Sequence, residues 1–149
     1  MISCTEFIPA YSEGFKFLEL KDGPGEPEKF WNWLSGFYLH DSLDRLIDEN
    51  GLEGCFTYWA NSLNEEAADF RMVLDEIKGE FRIELYKCPS KGMFNEMNHL
   101  VPFHSYCSHC AALYRPVAEK HGYRYEEYLN DCDKAACSLT ISINAINQS

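Results

Sequence analysis

Five cysteines and four histidines crowd into the stretch from Lys87 to Ile143, in a chain with seven cysteines and five histidines in all. Cys107-x-x-Cys110 is followed by Cys132-x4-Cys137. Cys88 lies upstream, and His104 and His109 flank the first pair. Tetrahedral zinc takes four nitrogen or sulphur donors, and a Cys-x-x-Cys brings two thiolates within reach of one ion. A second cysteine pair about twenty residues on is a common zinc arrangement. Cys107, Cys110, Cys132 and Cys137 are therefore the candidate metal ligands and zinc the candidate cofactor, with His104, His109 and Cys88 as substitutes. The second spacing is four residues rather than two, which departs from the usual pattern. Iron–sulphur ligation fits less well, because no tighter cysteine run is present. Haem attachment is excluded, since Ala111 and not histidine follows Cys110.

Two other readings stand beside metal binding. Cysteine is a small hydrophobe that is often buried, and Cys110 and Cys137 fall on the apolar faces of their elements, as core residues would. Alternatively, Cys107 lies near the start of an expected helix, where backbone dipoles favour thiolate. His104 one turn back and His109 nearby then make Cys107, His104 and His109 the candidate catalytic set, a nucleophile with a base. Other polar groups carry less. Glu96, Asn98 and His99 read as a solvated loop, Glu65, Glu66 and Asp69 as a solvated face, and Asp131 and Asp133 as turn residues beside Cys132. Trp31, Trp33 and Trp59 read as apolar anchors.

The elements that would position these groups follow from the hydrophobic period. Residues 1–28 form an arm whose structure the pattern leaves undefined, apart from an alternating Phe15–Leu20 segment and a turn at Asp22–Pro27. Pro27 suits a first helical turn, and Phe30, Trp33, Leu34 and Phe37 follow at helical spacing. A break near Gly36, with Asp41 as N-cap, starts a second helix that stops at Asn50-Gly51. A third covers Leu52 to about Ala68. The period then changes to two. Phe70–Leu74 and Phe81–Leu85 read as a hairpin across Asp75–Gly79, and Pro89 ends its second strand. A short helix over 89–97 precedes a longer one from about Phe103 to His121. That helix carries Cys107, Cys110, Tyr114 and Val117 on one face and Ser108, Ala112, Arg115 and Glu119 on the other, with Pro116 kinking or restarting it. Strands at Tyr123–Leu129 and Ser138–Asn144 follow, and the tail from Asn147 to Ser149 reads as loose. The expected fold is α+β: N-terminal helices, then a small antiparallel sheet with a long, kinked helix packed on it.

At 149 residues, with 46% apolar and 15% aromatic residues, the chain reads as a single domain, 1–149, able to bury a sizeable core. A net charge of −11 argues against nucleic acid and anionic lipid as partners. No apolar run is long enough to span a membrane. The first six residues lack a basic segment followed by an apolar run, so no signal peptide is expected. That points to the cytoplasm, where clustered cysteines serve as metal ligands or reactive thiols rather than staples.

The strand leading into Lys87-Cys88-Pro89, Tyr106-Cys107 heading a helix, and Cys132 and Cys137 before a final strand together resemble the L-2-amino-thiazoline-4-carboxylic acid hydrolase-like family. They are also similar to 4-vinyl reductase domains. The resemblance covers about Phe81 to Ile143. It departs from the latter domains at Lys134-Ala135-Ala136, where they have a Gly-Asp turn, and in the additional thiol of Cys110. It implies a compact α+β fold, a small-molecule ligand, and Cys107, Cys132 and Cys137 as site residues, with Cys88 behind them.

The function so implied is hydrolysis of a C–N bond in a cyclic amidine or thiazoline carboxylate. Either a zinc-bound water attacks, or Cys107 does, with His104 or His109 as base. A substrate carboxylate requires a cation; Arg115 is the candidate, with Lys91 and Arg124 as its rivals. The alternative is a non-catalytic ligand-binding module in which four cysteines close a structural zinc, and a metal-free structural domain is a third reading. The expected partners are a small molecule and a second copy of the chain in a homodimer.

Overall fold

In the computed structural model, residues 4–66 and 68–144 are described. The tail expected to be loose, from Asn147 to Ser149, lies outside them.

Alternation builds the sheet. Phe81 and Ile83 point inward and Arg82 and Glu84 outward along β2 (Glu80–Lys87), which pairs with β1 (Asp69–Asp75) as a hairpin. The turn depends on Gly79, whose φ is +63° and which faces Ile143 so closely that a Cβ would lie 2.3 Å from the Ile143 side chain. The Asp75 carboxylate accepts the Lys78 amide at 3.0 Å and closes the turn. Two further strands, β3 (Tyr123–Tyr128) and β4 (Cys137–Ile143), complete an antiparallel sheet of order β1-β2-β4-β3. The register sets Leu85 opposite Cys137, Phe81 opposite Ile141, and Glu127 opposite Leu139. The inner face is thus Phe70, Met72, Leu74, Phe81, Ile83, Leu85, Leu139, Ile141 and Tyr125, while Arg82, Glu84, Thr140 and Glu126 hold the outer one.

Helices cover the inner face. They are α1 (Cys4–Asp22), α2 (Glu26–Tyr38), α3 (Arg45–Asn50), α4 (Leu52–Asn64), α5 (Pro89–Glu96) and α6 (Ser108–Lys120). The α+β architecture expected from the pattern is the one observed. α4 crosses β1 and β2, α6 lies on β3, and α2 packs on α6. One core fills the space between sheet and helices around Leu43, Ile47, Trp59, Phe81, Ile141 and Val117. A second, largely aromatic core joins α1, α2 and the approach to α6 through Phe15, Trp31, Phe94, Phe103 and Tyr106.

Several local expectations change. The Phe15–Leu20 segment is helical, because the long-range spacing of Ile8, Ser12 and Phe15 outweighs a short alternation; these three are buried while Phe17 and Leu20 remain exposed. Asp41 caps nothing. A π-helical turn (His40–Asp44) precedes α3, and Asp44, not Asp41, is the buried carboxylate there. α4 ends at Asn64, short of Ala68. Its Gly54 is required by packing, since a Cβ would lie 2.0 Å from the Leu46 carbonyl oxygen of α3. α6 starts at Ser108, five residues later than expected, and continues through Pro116. Its Leu113 carbonyl accepts the Ser35 hydroxyl at 2.6 Å, which joins α6 to α2.

Candidate functional site

Each of the five cysteines from Cys88 onward stands at the end of an element, and the sheet register gathers those ends. Cys88 precedes α5, where Pro89 occupies the first helical position. Cys107 precedes α6, and Cys110 is in its first turn. Cys132 opens a 3-10 turn (Cys132–Lys134) in the loop between β3 and β4, and Cys137 is the first residue of β4. The loop is held by the Cys88 amide donating to the Ala135 carbonyl at 2.7 Å and by Asn95 donating to the Asp133 carbonyl at 3.0 Å. All five thiols line one cavity of about 280 Å³, at the small end of ligand sites. Its apolar walls are Ile8, Trp59, Leu63, Ile83, Leu85 and Leu139. Tyr106, Tyr114, His109, Ser90, Lys91 and Glu127 are among its other polar groups.

His109 and Cys110 form the most defined pair. The buried imidazole donates from Nδ1 to the Tyr106 carbonyl. That bond fixes the tautomer and leaves the Nε2 lone pair facing Cys110 Sγ, 3.6 Å away. Burial lowers the pKa of His109, so the ring is held neutral, as an acceptor must be. Tyr11, Phe15, Trp31 and Tyr106 pack around the ring and hold its plane.

Burial favours the protonated form of Cys88, Cys107, Cys110 and Cys137. Burial pushes Cys107 and Cys137 up to about 12 and Cys110 well above its ordinary value, with neighbouring thiols adding to the effect. Cys88 is raised by burial as well, although the amides of Lys91 and Ser90 and the Lys91 ammonium act the other way. This reverses the expectation for Cys107. The amides at the start of α6 are turned to the preceding carbonyls, with Ser108 on Ser105 and Cys110 on Cys107, and a half-buried thiol among other thiols gains little from the helix dipole. Glu127, on the inner face of β3, is also raised by burial, and the Tyr125 hydroxyl donates to it.

The structure brings Cys107, Cys110, Cys132, Cys137 and His109 to one cavity and leaves three expected residues outside it. His104 is exposed and bonded to Ser105 and Glu19, because it precedes α6 on the side facing α1. Arg115 lines a second depression, as His104 does, with its guanidinium over the Tyr125 ring and close enough to lower the Glu127 carboxyl. Arg124 is on the outer face of the sheet and pairs with Glu126. Lys91 is the cation in the cavity wall. Of the weaker candidates, Glu96 pairs with Lys87 at the surface, Trp31 and Trp59 are core, and Trp33 is exposed.

Glu127 is a cavity residue that sequence reasoning missed; Tyr114, expected on the face of α6 that carries the cysteines, and Tyr106, quoted only as heading that helix, line the cavity too. The signal for Glu127 was its place two residues beyond Tyr125 on the same strand face, though Tyr123–Tyr128 does not alternate in polarity and so hides which face is inner. Among the described residues, no three His, Cys, Asp or Glu side chains are grouped so as to hold a metal ion. No described helix is long and apolar enough to cross a membrane. Compared with protein-family models, with characterised proteins and with solved structures, the chain matches none.

Proposed function

We propose that the cavity is the site of a small-molecule hydrolase whose nucleophile is Cys110 and whose base is His109. The observation that carries this reading is the Nδ1 bond of His109 to the Tyr106 carbonyl, which commits Nε2 to the Cys110 sulphur. The substrate class, a C–N bond in a cyclic amidine or thiazoline carboxylate, comes from the sequence resemblance. Lys91 replaces Arg115 as the group that meets the carboxylate, since it is the cation that lines the cavity.

In this mechanism the resting pair is neutral thiol and neutral imidazole. Cys110 Sγ attacks the amidine carbon as Nε2 takes its proton. The imidazolium then returns that proton to the departing ring nitrogen, and the C–N bond breaks. Water, deprotonated by the same Nε2, attacks the thioester-like carbon and releases Cys110. Glu127 lines the same cavity, where burial raises its carboxyl and the Tyr125 hydroxyl donates to it.

A non-catalytic ligand-binding module with a cysteine-held zinc is the second reading. It is favoured by the lining of one cavity by all four of its expected ligands, Cys107, Cys110, Cys132 and Cys137. The hydrolytic steps above use no metal. The deciding experiment is ring opening of cyclic amidine acids by the full chain, beside Cys110→Ser and beside elemental analysis of the purified protein. Turnover that is lost in Cys110→Ser and indifferent to chelators supports the hydrolase. No turnover, with about one zinc per chain that is lost in Cys132→Ser, supports the binding module.

A further inference from the structure

The hydrolytic reading leaves the second depression unused. It holds about 440 Å³, within the range of ligand sites. Ser108, Ala111, Ala112, Arg115, Pro116 and Glu119 recur along it at helical spacing, so one face of α6 forms a wall. Pro27, Glu28, Trp31 and Asn32 of α2 line it too. We propose that this depression binds a small monocarboxylate with an apolar body, whose carboxylate accepts hydrogen bonds from Trp31 Nε1 and from the Arg115 guanidinium. This inference stands independently of the roles given to Cys110 and His109.

Trp31 carries the argument. The residue is 4% exposed, and its indole Nε1 is buried with no hydrogen-bond partner among the described residues. An indole N–H only donates, and native proteins rarely leave a buried donor unpaired. Trp31 lines this depression and not the cysteine cavity. The acceptor it lacks is therefore assigned to an occupant of the depression.

The lining selects the class of occupant. Arg115 is exposed and stacks on Tyr125 with its carbon centre 5.5 Å from the ring centroid. Glu127 feels its charge, but no carboxylate of the described residues is paired with it. A guanidinium, like an indole N–H, offers protons and accepts none, so the occupant must bring acceptor oxygens. A carboxylate has two, and its charge strengthens the bond to Arg115. Glu28 and Glu119 are exposed in the same lining. Their charges disfavour a phosphate or a dicarboxylate more than a single negative charge facing Arg115. Pro24, Pro27, Phe103, Ala111, Ala112 and Pro116 give an apolar body its contacts.

The test is titration of the isotope-labelled full chain with sodium benzoate and with sodium hexanoate, read at the indole N–H signals by proton–nitrogen NMR. The Trp31 signal is assigned by its Overhauser contacts with the Phe15 and Phe103 rings, and exposed Trp33 and buried Trp59 serve as internal references. The expected result is a saturable downfield shift of the Trp31 N–H by at least one of the two acids, with Kd in the millimolar range. Binding should weaken about tenfold or more in Arg115→Gln, the loss expected for a charge-assisted hydrogen bond. Benzyl alcohol and inorganic phosphate should bind more weakly than the acid that shifts the signal. A Trp31 signal that neither acid moves, as an N–H resting on the Phe15 ring or bonded to water would behave, overturns the proposal. So does an affinity that Arg115→Gln leaves unchanged, or one that benzyl alcohol or phosphate matches. The wild-type titration decides by itself whether Trp31 responds, and hydrolytic turnover has no bearing on it.

Discussion

At the scale of single residues, burial outweighs the factors expected to activate a thiol. Cys107 was expected to be the thiolate-prone residue on account of its place before α6, yet desolvation and adjoining thiols raise it to about 12. Reactivity in such a site comes from a base that removes the proton. Cys110 has that base at 3.6 Å. Alkylation of Cys110 by iodoacetamide, followed by mass mapping from pH 6 to 10, should therefore be slow at neutral pH and still rising at the alkaline end. His109→Gln should slow it further, by roughly tenfold or more. An unchanged rate in His109→Gln would remove the pair from the mechanism. His109 also contributes to the pH dependence of stability. Its folded pKa is depressed, so below the ordinary value of 6.5 the unfolded chain binds a proton that the folded one resists. Stability should fall as pH drops below about 6.5, and thermal unfolding of His109→Gln between pH 7 and 5 should show a shallower decline. Cys107, Cys110, Cys132 and Cys137 were legible as a group from spacing alone, as was His109. Glu127 and Tyr106 were not, because neither the facing of a strand nor the carbonyl a ring will meet is written in local spacing.

At the scale of elements, short contacts between backbones decide what single positions tolerate. Alanine ordinarily improves a helix over glycine by about 1 kcal/mol. At Gly54 the sign reverses, since the Cβ would lie 2.0 Å from the Leu46 carbonyl oxygen and α3 and α4 would have to separate. Gly54→Ala should destabilise by roughly 1–3 kcal/mol, read from urea unfolding, and a neutral or stabilising result would show that the two helices yield there. Asp44 joins the turn before α3 to the end of α6 through Lys120 and His121, each at 2.7 Å. Burial raises the Asp44 carboxyl, but the hydrogen bonds from Lys120 and His121 outweigh it and the net shift is downward. Asp44 therefore stabilises the fold above the ordinary carboxylate range, and this contribution is lost as pH falls through its lowered folded value. Asp44→Asn should cost roughly 1–3 kcal/mol at pH 7, with the difference from the wild type disappearing in strong acid. A difference that persisted there would mean that packing, not charge, holds this contact. Hairpin, final strand and short helix were all readable from period and proline. The helical N-terminus was not, because Phe15-Lys16-Phe17-Leu18 alternates over four residues while its buried face repeats over seven.

For the whole molecule, one sheet face and six described helices bury a core centred on Phe81, Ile83 and Ile141, all at or near zero exposure. Phe81→Ala should cost about 3–5 kcal/mol, while Phe37→Ala, at 69% exposure, should stay within about 0.5 kcal/mol. Similar costs for both would mean that Phe37 is covered in solution. In a chain of net charge −11, Lys91 is the lysine that lines the cavity.

The sequence alone determined the fold class, the change from helical to alternating period near residue 69, and the candidacy of the late cysteines. These are local properties, carried by composition, turn residues and spacing. Only the tertiary structure decided that Cys110 rather than Cys107 faces an imidazole, that His104 and Arg115 lie outside the cavity, and that five late thiols line it together. Those outcomes depend on which face of α6 packs on the sheet and on the register of β2, β3 and β4. Both are set by burying the whole apolar surface at once, so no single stretch of the chain contains them.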